Sequence, residues 1–179
     1  SGCSYCCHCH VHVSATEVFA LTQYLTLKVD AHQRVEVLAR LKSNAQSIST
    51  LSVDEHIQTS IRCAFLSDEQ RCLAYEVRPG ACRGHHAMDA TACEVTFHDP
   101  SSTVQNQMKL SLKKCSTGYI MANEAAQGQV GVDDQKYELH TAVLEALENR
   151  ASFKRLKSGK LAFPGVKDRV DPSIRKIER

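Results

Sequence analysis

The segment CSYCCHCHVHVS, residues 3–14, runs directly into a strong helix start. It contains four cysteines and three histidines. Ser14 at its end precedes Glu17 by three positions, which is the spacing of a capping box, and Val13 and Val18 occupy the positions of a hydrophobic staple. The sequence therefore predicts a cysteine-rich segment joined without a linker to the first helix.

Apolar residues recur at helical spacing along most of the chain, which predicts a mainly α fold. Val18, Leu21 and Leu25 mark the inward face of the first helix. Ser52 and Glu55 repeat the capping-box spacing at a short third helix. The other predicted helices cover residues 31–48, 101–128 and 134–148, with inward faces formed by Val35, Leu38, Leu41, Ala45 and Ile48, by Val104, Met108, Leu112, Cys115, Tyr119 and Ala122, and by Leu139, Val143 and Leu147.

The stretch IRCAFLSDEQRCLAYEVRP, residues 61–79, has a different pattern. Two β-capable runs, 61–66 and 71–75, flank the turn-like residues 67–70, which predicts a small β-hairpin. Residues 81–93 follow as a cysteine-bearing loop. Short elements of this kind pack poorly alone, so we expect a helical domain with cysteine-rich loops that a metal clips in place.

The bulk composition bounds the class of protein. A chain of 179 residues with 42% hydrophobic content is long enough for one domain with a core. The net charge of +2 indicates no nucleic-acid partner, and no apolar run approaches the ~20 residues of a membrane span. Nine cysteines without a visible signal peptide predict a cytoplasmic protein, where clustered thiols bind metal or do redox chemistry more often than they form disulfides.

Seven of the cysteines form two groups that are distant in sequence: Cys3, Cys6 and Cys7, and then Cys63, Cys72, Cys82 and Cys93. A C-x2-C turn lets two thiolates converge on one metal, a geometry that zinc and iron–sulfur sites both use. Because adjacent residues of an extended chain point to opposite faces, Cys6 and Cys7 either share a metal in a tight turn or serve two neighbouring sites. A buried apolar thiol is the alternative for any single member. That alternative is favoured for Cys115.

The histidines divide into three sets. The first set shares one face of an extended segment, and we expect that face to be solvated: His8, His10 and His12. His85 and His86 lie between two of the cysteines and are better candidates for an additional ligand or an outer hydrogen-bond donor. The remaining set has no metal-like spacing: His32, His56, His98 and His140.

These motifs resemble the zinc- or iron-chelating cysteine-cluster family (CxxxCxxCC, YkgJ-like, UPF0153-type). The similar stretches are GCSYCCHCHVHVSATEVFAL, IRCAFLSDEQRCLAYEVRPGACRGHH and Cys93-Glu94, and the RP-x-x-CR segment at 78–83 is quite specific. KYELHTAVLEAL and GKLAFP resemble the helical C-terminal part of some members. The resemblance implies metal binding, with zinc or iron as the cofactor, and leaves the reaction and any catalytic residues unknown.

The chain departs from the family pattern at its beginning. The family's first cysteine would precede Cys3 by four residues, so we expect one ligand to lie before this sequence or to be absent from the protein. Restoring it would give eight cysteines, enough for two four-thiolate sites or one cluster plus a second metal. Cys9 falls outside the pattern and is left out of the ligand set.

The expected organisation is one metal-binding domain over residues 1–166, with a cysteine-cluster part (1–94) and a helical part (95–166), followed by a basic, loosely held tail (167–179). The main hypothesis for function is a metal-binding protein. The alternative is an iron–sulfur or metal-dependent enzyme that acts on an anionic substrate, with Arg78, Arg83, His85 and His86 around the substrate. If there is no such substrate, the two arginines would instead hydrogen-bond thiolates or loop carbonyls. A third possibility is a protein partner bound by the basic stretch 154–160.

Overall fold

The computed structural model describes residues 3–99, 101–104 and 106–170. Over these residues the fold is mainly helical with one small antiparallel sheet, as the sequence predicted. The helices are α1 (Ala15–Leu27), α2 (Ala31–Ser49), α3 (Val53–Gln58), α4 (Gly80–Gly84), α5 (Ala90–His98), α6 (Leu110–Gln129), α7 (Leu139–Glu148) and α8 (Ala151–Lys157). The strands are β1 (His12–Ser14), β2 (Lys136–Glu138) and β3 (Arg169–Val170), and 3-10 turns lie at Tyr5–His8 and Tyr75–Val77.

Helix α7 packs against both α1 and α2 and completes the core. The predicted inward face of α1 is fully buried, and so is Val143 of α7. Leu41 and Ile48 of α2 are buried as expected, but Val35 is 68% exposed, because Val37 is the residue of that turn that faces the core. Within the described part of the chain, no helix combines the length and the apolar character that crossing a membrane requires.

The predicted capping box at the start of α1 is confirmed, and its Glu17 also binds the backbone of another helix. The Ser14 hydroxyl accepts a hydrogen bond from the Glu17 backbone N–H, and a carboxylate oxygen of Glu17 accepts from the Ser14 N–H at 2.8 Å. The other carboxylate oxygen accepts from the Gly80 N–H at 2.7 Å. One side chain therefore joins the first helix to the start of α4. The predicted capping box of Ser52 and Glu55 is also present, at α3.

The sheet joins the two ends of the described chain. β2 lies in the middle, with antiparallel neighbours β1 and β3. His12 pairs with Glu138, and Tyr137 pairs with Arg169. Residues 168–170, at the start of the expected tail, are held by this pairing and by the Asp168 contacts described below. Residues 171–179 of that predicted tail lie outside the described residues.

The predicted hairpin at 61–75 is reduced to a turn with a single β-bridge, between Leu66 and Cys72. The chain does reverse there, with Ser67 N–H donating to the Arg71 carbonyl at 2.8 Å. No strand forms on either side of the turn in this described stretch, because several of its backbone groups bond to distant segments instead. The predicted loop 81–93 likewise contains α4 and the first part of α5.

Helix α6 begins later than predicted, at Leu110, and ends at Gln129, one residue beyond the expected stop at Gly128. Its predicted inward face is exposed: Leu112 is 43% exposed, Tyr119 is 66% exposed, and Cys115 is an exposed free thiol rather than a core residue. The face that contacts α4 instead includes Ser116 and Ile120. Because Gly84 has no side chain, α4 approaches Ser116 closely.

Candidate metal centre

The N-terminal segment is attached to residues 61–63 by backbone hydrogen bonds. The Ile61 N–H donates to the His8 carbonyl at 3.1 Å, and the Cys63 N–H donates to the Cys7 carbonyl at 2.7 Å. These bonds place the first cysteine group beside the first member of the second. Residues more than fifty positions apart in sequence thus meet without a β-ladder.

A cavity of about 450 Å³ opens where these segments meet α4 and α7. Five of the seven predicted ligands line it: Cys6, Cys7, Cys63, Cys72 and Cys82. Arg78 and His85, the first members of the two predicted outer pairs, line it as well. Arg83 and His86 are not among its lining residues.

A second cavity, of about 260 Å³, adjoins the first and shares Cys6, Cys9 and His85 with it. Cys93, from α5, lines this smaller cavity and is buried. Cys9, which was left out of the predicted ligand set, therefore lines both cavities. Cys3 is exposed and lines neither of these two cavities.

The thiols of the larger cavity perturb one another. A hydrogen bond from Cys7 lowers the pKa of Cys6 to about 6, and the same bond, with burial, raises the pKa of Cys7. Burial, together with the negative charge of neighbouring thiolates, raises the pKa of Cys82 to about 12. Several partly buried thiols around one space disfavour a second thiolate, because the thiolates repel one another and the charge of Arg78 offsets that repulsion only in part. This is an environment in which a bound cation would stabilise the deprotonated sulfurs.

His140 lies at the base of the larger cavity and was missed by the sequence analysis. Its Nδ1 is 3.0 Å from a carboxylate oxygen of Glu138, and its Nε2 lies 3.3 Å from the Ala64 backbone nitrogen. Burial alone would lower its pKa, but hydrogen bonds to Cys63 and Glu138 raise the pKa to about 10. A carboxylate that holds one ring nitrogen while the other faces thiols is the arrangement found at many metal-ligating histidines.

Glu138 is itself firmly held. It is 1% exposed, and its carboxylate accepts from the backbone N–H groups of His140 and Thr141 at 2.9 and 2.8 Å. Burial works against ionisation, but the hydrogen bonds and the charge of His140 prevail and lower the pKa of Glu138 to about 2. The nearest sequence signal for this pair was the stretch KYELHTAVLEAL, in which Glu138 caps α7.

The two predicted arginines behave differently. The guanidinium of Arg83 donates to the carbonyls of Arg78 and Glu76 and thereby stabilises the loop. Hydrogen bonding to carbonyls was one of the two roles considered for this arginine. Arg78 stacks on the Tyr75 ring at 4.1 Å and lines the larger cavity. Its buried Nε has no hydrogen-bond partner within the described structure. Arg78 therefore retains a donor for a thiolate or another anion.

The chemistry of the donors fits the zinc or iron that cysteine-rich sites take. Thiolate and imidazole groups are suitable ligands for either ion. Among the described residues, no three ligand atoms that include a cysteine sulfur lie within 4.8 Å of one another. Sulfurs of a tetrahedral zinc site lie about 3.8 Å apart, given Zn–S bonds of about 2.3 Å. The thiols would therefore turn inward from the cavity wall to form a closed site.

His10 and His12 do not form the solvated face that the sequence suggested. The side chain of His10 is only 9% exposed, and both rings contact the Asp168 carboxylate at 2.8 Å. His8 instead packs edge-on against Phe97, with ring centroids 4.8 Å apart. The alternating spacing of the histidines suggested a solvated face because it could not reveal their partner carboxylate, which lies 156 residues or more further along the chain.

The structure thus gathers cysteines from three distant segments around one cavity of a mainly helical fold. The chain belongs to the CxxCxxCC family, whose model matches residues 1–116 and is described as a "putative zinc- or iron-chelating domain". The resemblance noted in the sequence is thereby confirmed. No curated protein and no solved structure matches the chain significantly.

Proposed function

We propose that this protein binds zinc or iron through thiolates in the larger cavity, with Cys6, Cys7, Cys63, Cys72 and Cys82 as the ligand pool and His140 as a further ligand. The observation that carries the proposal is that five cysteines from the N-terminal turn, residues 63–72 and α4 line one cavity. When bound, the metal supplies a cation that these thiolates neutralise. The protein's own residues supply the position: Glu138 orients His140, and Glu17 anchors α4.

Cys93 is the predicted ligand that lies at the smaller cavity, and Cys3, which lines neither cavity, acts on it through its charge. Cys93 lines that cavity with Cys6, and the charge of Cys3 is among the causes that raise the pKa of Cys93, after burial. This supports the interpretation that adjacent cysteines serve two neighbouring sites, with Cys6 between them. A four-thiolate site at this second position would require Cys9 or a ligand from outside the sequence.

Elemental analysis of the purified chain tests the proposal directly. We expect zinc or iron at one to two equivalents, falling by about one equivalent in Cys63→Ser and Cys72→Ser. Cys115→Ser is the matched control, because Cys115 is an exposed thiol on α6 that lines neither cavity. A folded wild-type protein without metal, or equal metal contents in all three variants, would contradict the proposal.

A second candidate function, an enzyme that binds an anionic substrate beside the metal, is favoured by one observation: Arg78 lines the cavity with an unpartnered buried Nε. Guanidinium groups bind carboxylate and phosphate well. Purification without oxygen separates the two candidates, since an iron–sulfur cluster gives a brown protein with broad visible absorption and a zinc site gives a colourless one. In a cluster-containing protein, Arg78→Lys would weaken anion binding, whereas Arg83→Lys would leave it unchanged.

The location and partners follow from the same chemistry. Thiolate sites persist in a reducing compartment, so a cytoplasmic location accompanies the proposal. The basic stretch 154–160 offers less to an acidic partner than its sequence suggests, because Arg155 bonds to Glu145 at 3.0 Å and to the Ala162 carbonyl. Lys154, Lys157 and Lys160 remain exposed. A salt-dependent pull-down that a triple Lys→Gln variant abolishes would support such a partner.

A further inference from the structure

A second cluster of ligand-type side chains lies beside the thiols and uses none of them. His12, the first residue of β1, and His10, two residues before it, approach Asp168, which directly precedes β3. Each Nε2 is 2.8 Å from a different oxygen of the Asp168 carboxylate. Among the residues that the structure describes, this is the one trio whose ligand atoms all lie within 4.8 Å of one another.

His56, from α3, adds an independent observation. The residue is 2% exposed, and its Nδ1 is 3.6 Å from the Asp168 carboxylate, too far for a hydrogen bond. That buried nitrogen has no hydrogen-bond partner in the described structure. The His56 ring packs edge-on against His10, with centroids 4.6 Å apart. A buried polar atom left without a partner is costly, and it is aimed at the same carboxylate as the other two rings.

Hydrogen bonding alone accounts for only part of this arrangement. One carboxylate can accept one N–H from each of His10 and His12, which uses one lone pair on each oxygen. It does not account for a third imidazole that is brought to 3.6 Å and left unpaired. Three imidazoles converging on one carboxylate are instead the ligands that a divalent transition metal gathers.

We propose that His10, His12 and Asp168 bind a divalent transition-metal ion through nitrogen and oxygen, with His56 as a fourth ligand. The separations suit this, because ligand atoms about 2.1 Å from a metal lie roughly 3.0 Å apart at right angles and about 3.4 Å apart in a tetrahedron. The carboxylate oxygens lie 2.8 Å from the Nε2 atoms of His10 and His12. His56 Nδ1 is 3.6 Å from the carboxylate and outside the trio that lies within 4.8 Å, so the His56 ring would move inward to bind. Two histidines and one carboxylate are a ligand set of zinc and iron(II) sites.

The backbone holds this cluster without help from the thiols. The Asp168 carbonyl accepts from the Glu138 N–H at 2.9 Å, and His12 pairs with Glu138 across β1 and β2. His10 and His12 also line the larger cavity, so the nitrogen–oxygen site would share a wall with the thiolate site. The inference stands on different ligands from the proposed function and can hold or fail separately.

Cobalt(II) separates the two sites in the full chain. Thiolate-bound cobalt gives an intense sulfur-to-metal charge-transfer band in the near ultraviolet, and cobalt bound by nitrogen and oxygen gives only weaker visible bands. Wild-type protein freed of metal should bind one cobalt equivalent without the charge-transfer band, in addition to any thiolate-bound cobalt. Asp168→Asn should lose that equivalent and leave the charge-transfer intensity unchanged. His32→Asn is the matched control, since its side chain is 85% exposed on α2.

Each outcome decides one claim. If wild-type protein lacks the charge-transfer band but still binds one cobalt that Asp168→Asn loses, the thiolate proposal fails and the present one stands. If Asp168→Asn binds as much cobalt as wild type, the cluster is a hydrogen-bonded structural contact and the present proposal is wrong.

A measurement on the unaltered chain covers the case in which Asp168→Asn does not fold. In protein labelled with nitrogen-15 at histidine, zinc should shift the Nε2 resonances of His10 and His12 and a ring-nitrogen resonance of His56. The His32 resonances should stay in place. Ring resonances of all three cluster histidines that do not move at saturating zinc would overturn the proposal.

Discussion

Glu138 fixes the chemistry of the larger cavity at the scale of single atoms. Its carboxylate holds His140 Nδ1 at 3.0 Å, which leaves Nε2 directed toward Cys63 and Ala64. A neutral amide in its place would hold the ring less firmly and make it a weaker ligand.

We therefore expect Glu138→Gln to lower the affinity for metal by about 10- to 100-fold, as removal of such outer carboxylates does elsewhere. Glu36→Gln, at an exposed carboxylate of α2, should leave the affinity unchanged. Competition with a chromophoric chelator measures both. Equal affinities in a Glu138→Gln protein of native circular dichroism would show that His140 is not a ligand.

Tyr137 affects how the stability of the fold depends on pH. Its buried hydroxyl donates to Asp133 at 2.7 Å, and burial together with that bond raises the pKa of Tyr137 above its usual 10. The folded state thus keeps a proton that the unfolded state loses. Stability from this group is complete below pH 10 and falls as the pH rises, by about 1.4 kcal/mol per pH unit.

Tyr137→Phe should cost about 1 kcal/mol below pH 10, through the lost hydrogen bond, and should lack this part of the decline above pH 10. Urea denaturation from pH 8 to 11 measures the difference between the two proteins. Because all other groups are common to both, they cancel in the difference. Parallel pH profiles would contradict the assignment.

At the scale of helices, the contact between α4 and α6 allows a test by substitution of two glycines. A Cβ on Gly84 would lie 2.8 Å from the Cβ of Ser116 and would also clash with its hydroxyl. A Cβ on Gly118, in the same α6, would meet nothing within 4 Å. The two glycines therefore form a matched pair.

Gly84→Ala should destabilise the protein by about 1–3 kcal/mol, since the helices must move apart. It should also weaken metal binding, because α4 carries Cys82. Gly118→Ala should stabilise the protein by about 0.5–1 kcal/mol through helix propensity, with metal affinity unchanged. Thermal denaturation and metal titration of both variants test this, and a Gly84→Ala protein as stable as wild type would contradict the close packing.

The elements also show what could be predicted from sequence. The capped starts of α1 and α3 were foreseen because capping boxes are local and specific. The predicted 61–75 hairpin is reduced to one antiparallel bridge, because its backbone also bonds to Cys7, His8, Arg40 and Asn44, none of which is near in sequence. The exposed face of α6 was taken for core because periodicity does not say which apolar faces find a partner.

The residues of the candidate sites also divide into those that a local sequence pattern predicts and those that only long-range contacts bring together. The cysteine groups, the short elements that carry them and the family resemblance together indicated seven cysteines. Five of them line the larger cavity: Cys6, Cys7, Cys63, Cys72 and Cys82. His140 and the His10–His12–Asp168 cluster were missed, because their partners are brought together by the β1–β2–β3 sheet and by α3. Such pairings, between residues tens to more than a hundred positions apart, leave no spacing signal in a single sequence.

At the scale of the whole molecule, the core and the cysteine-bearing part depend on metal to different degrees. The helices α1, α2 and α7 bury their apolar faces against one another. Residues 64–66 and Ala74 are buried as well, but the N-terminal turn Tyr5–His8 contains no buried residue and α4 buries only Gly80. For these two cysteine-bearing segments, metal binding would supply the missing folding free energy.

Removal of metal by a chelator should therefore leave amide protection in α1, α2 and α7 and reduce it at Ile61 and Cys63, whose N–H groups bond to the N-terminal segment. Hydrogen exchange followed by mass spectrometry resolves the two regions. Readdition of zinc or iron should restore protection. Equal protection of both regions with and without metal would show that the metal does not clip these segments.

The central claim is that clustered thiolates around one cavity hold the metal. Anomalous scattering from a crystal of the natively loaded protein, recorded at the zinc and iron edges, tests it most directly. The account predicts a peak within bonding distance of at least three sulfurs among Cys6, Cys7, Cys63, Cys72 and Cys82. A fully folded protein with no zinc or iron peak bound by any of these sulfurs would contradict it.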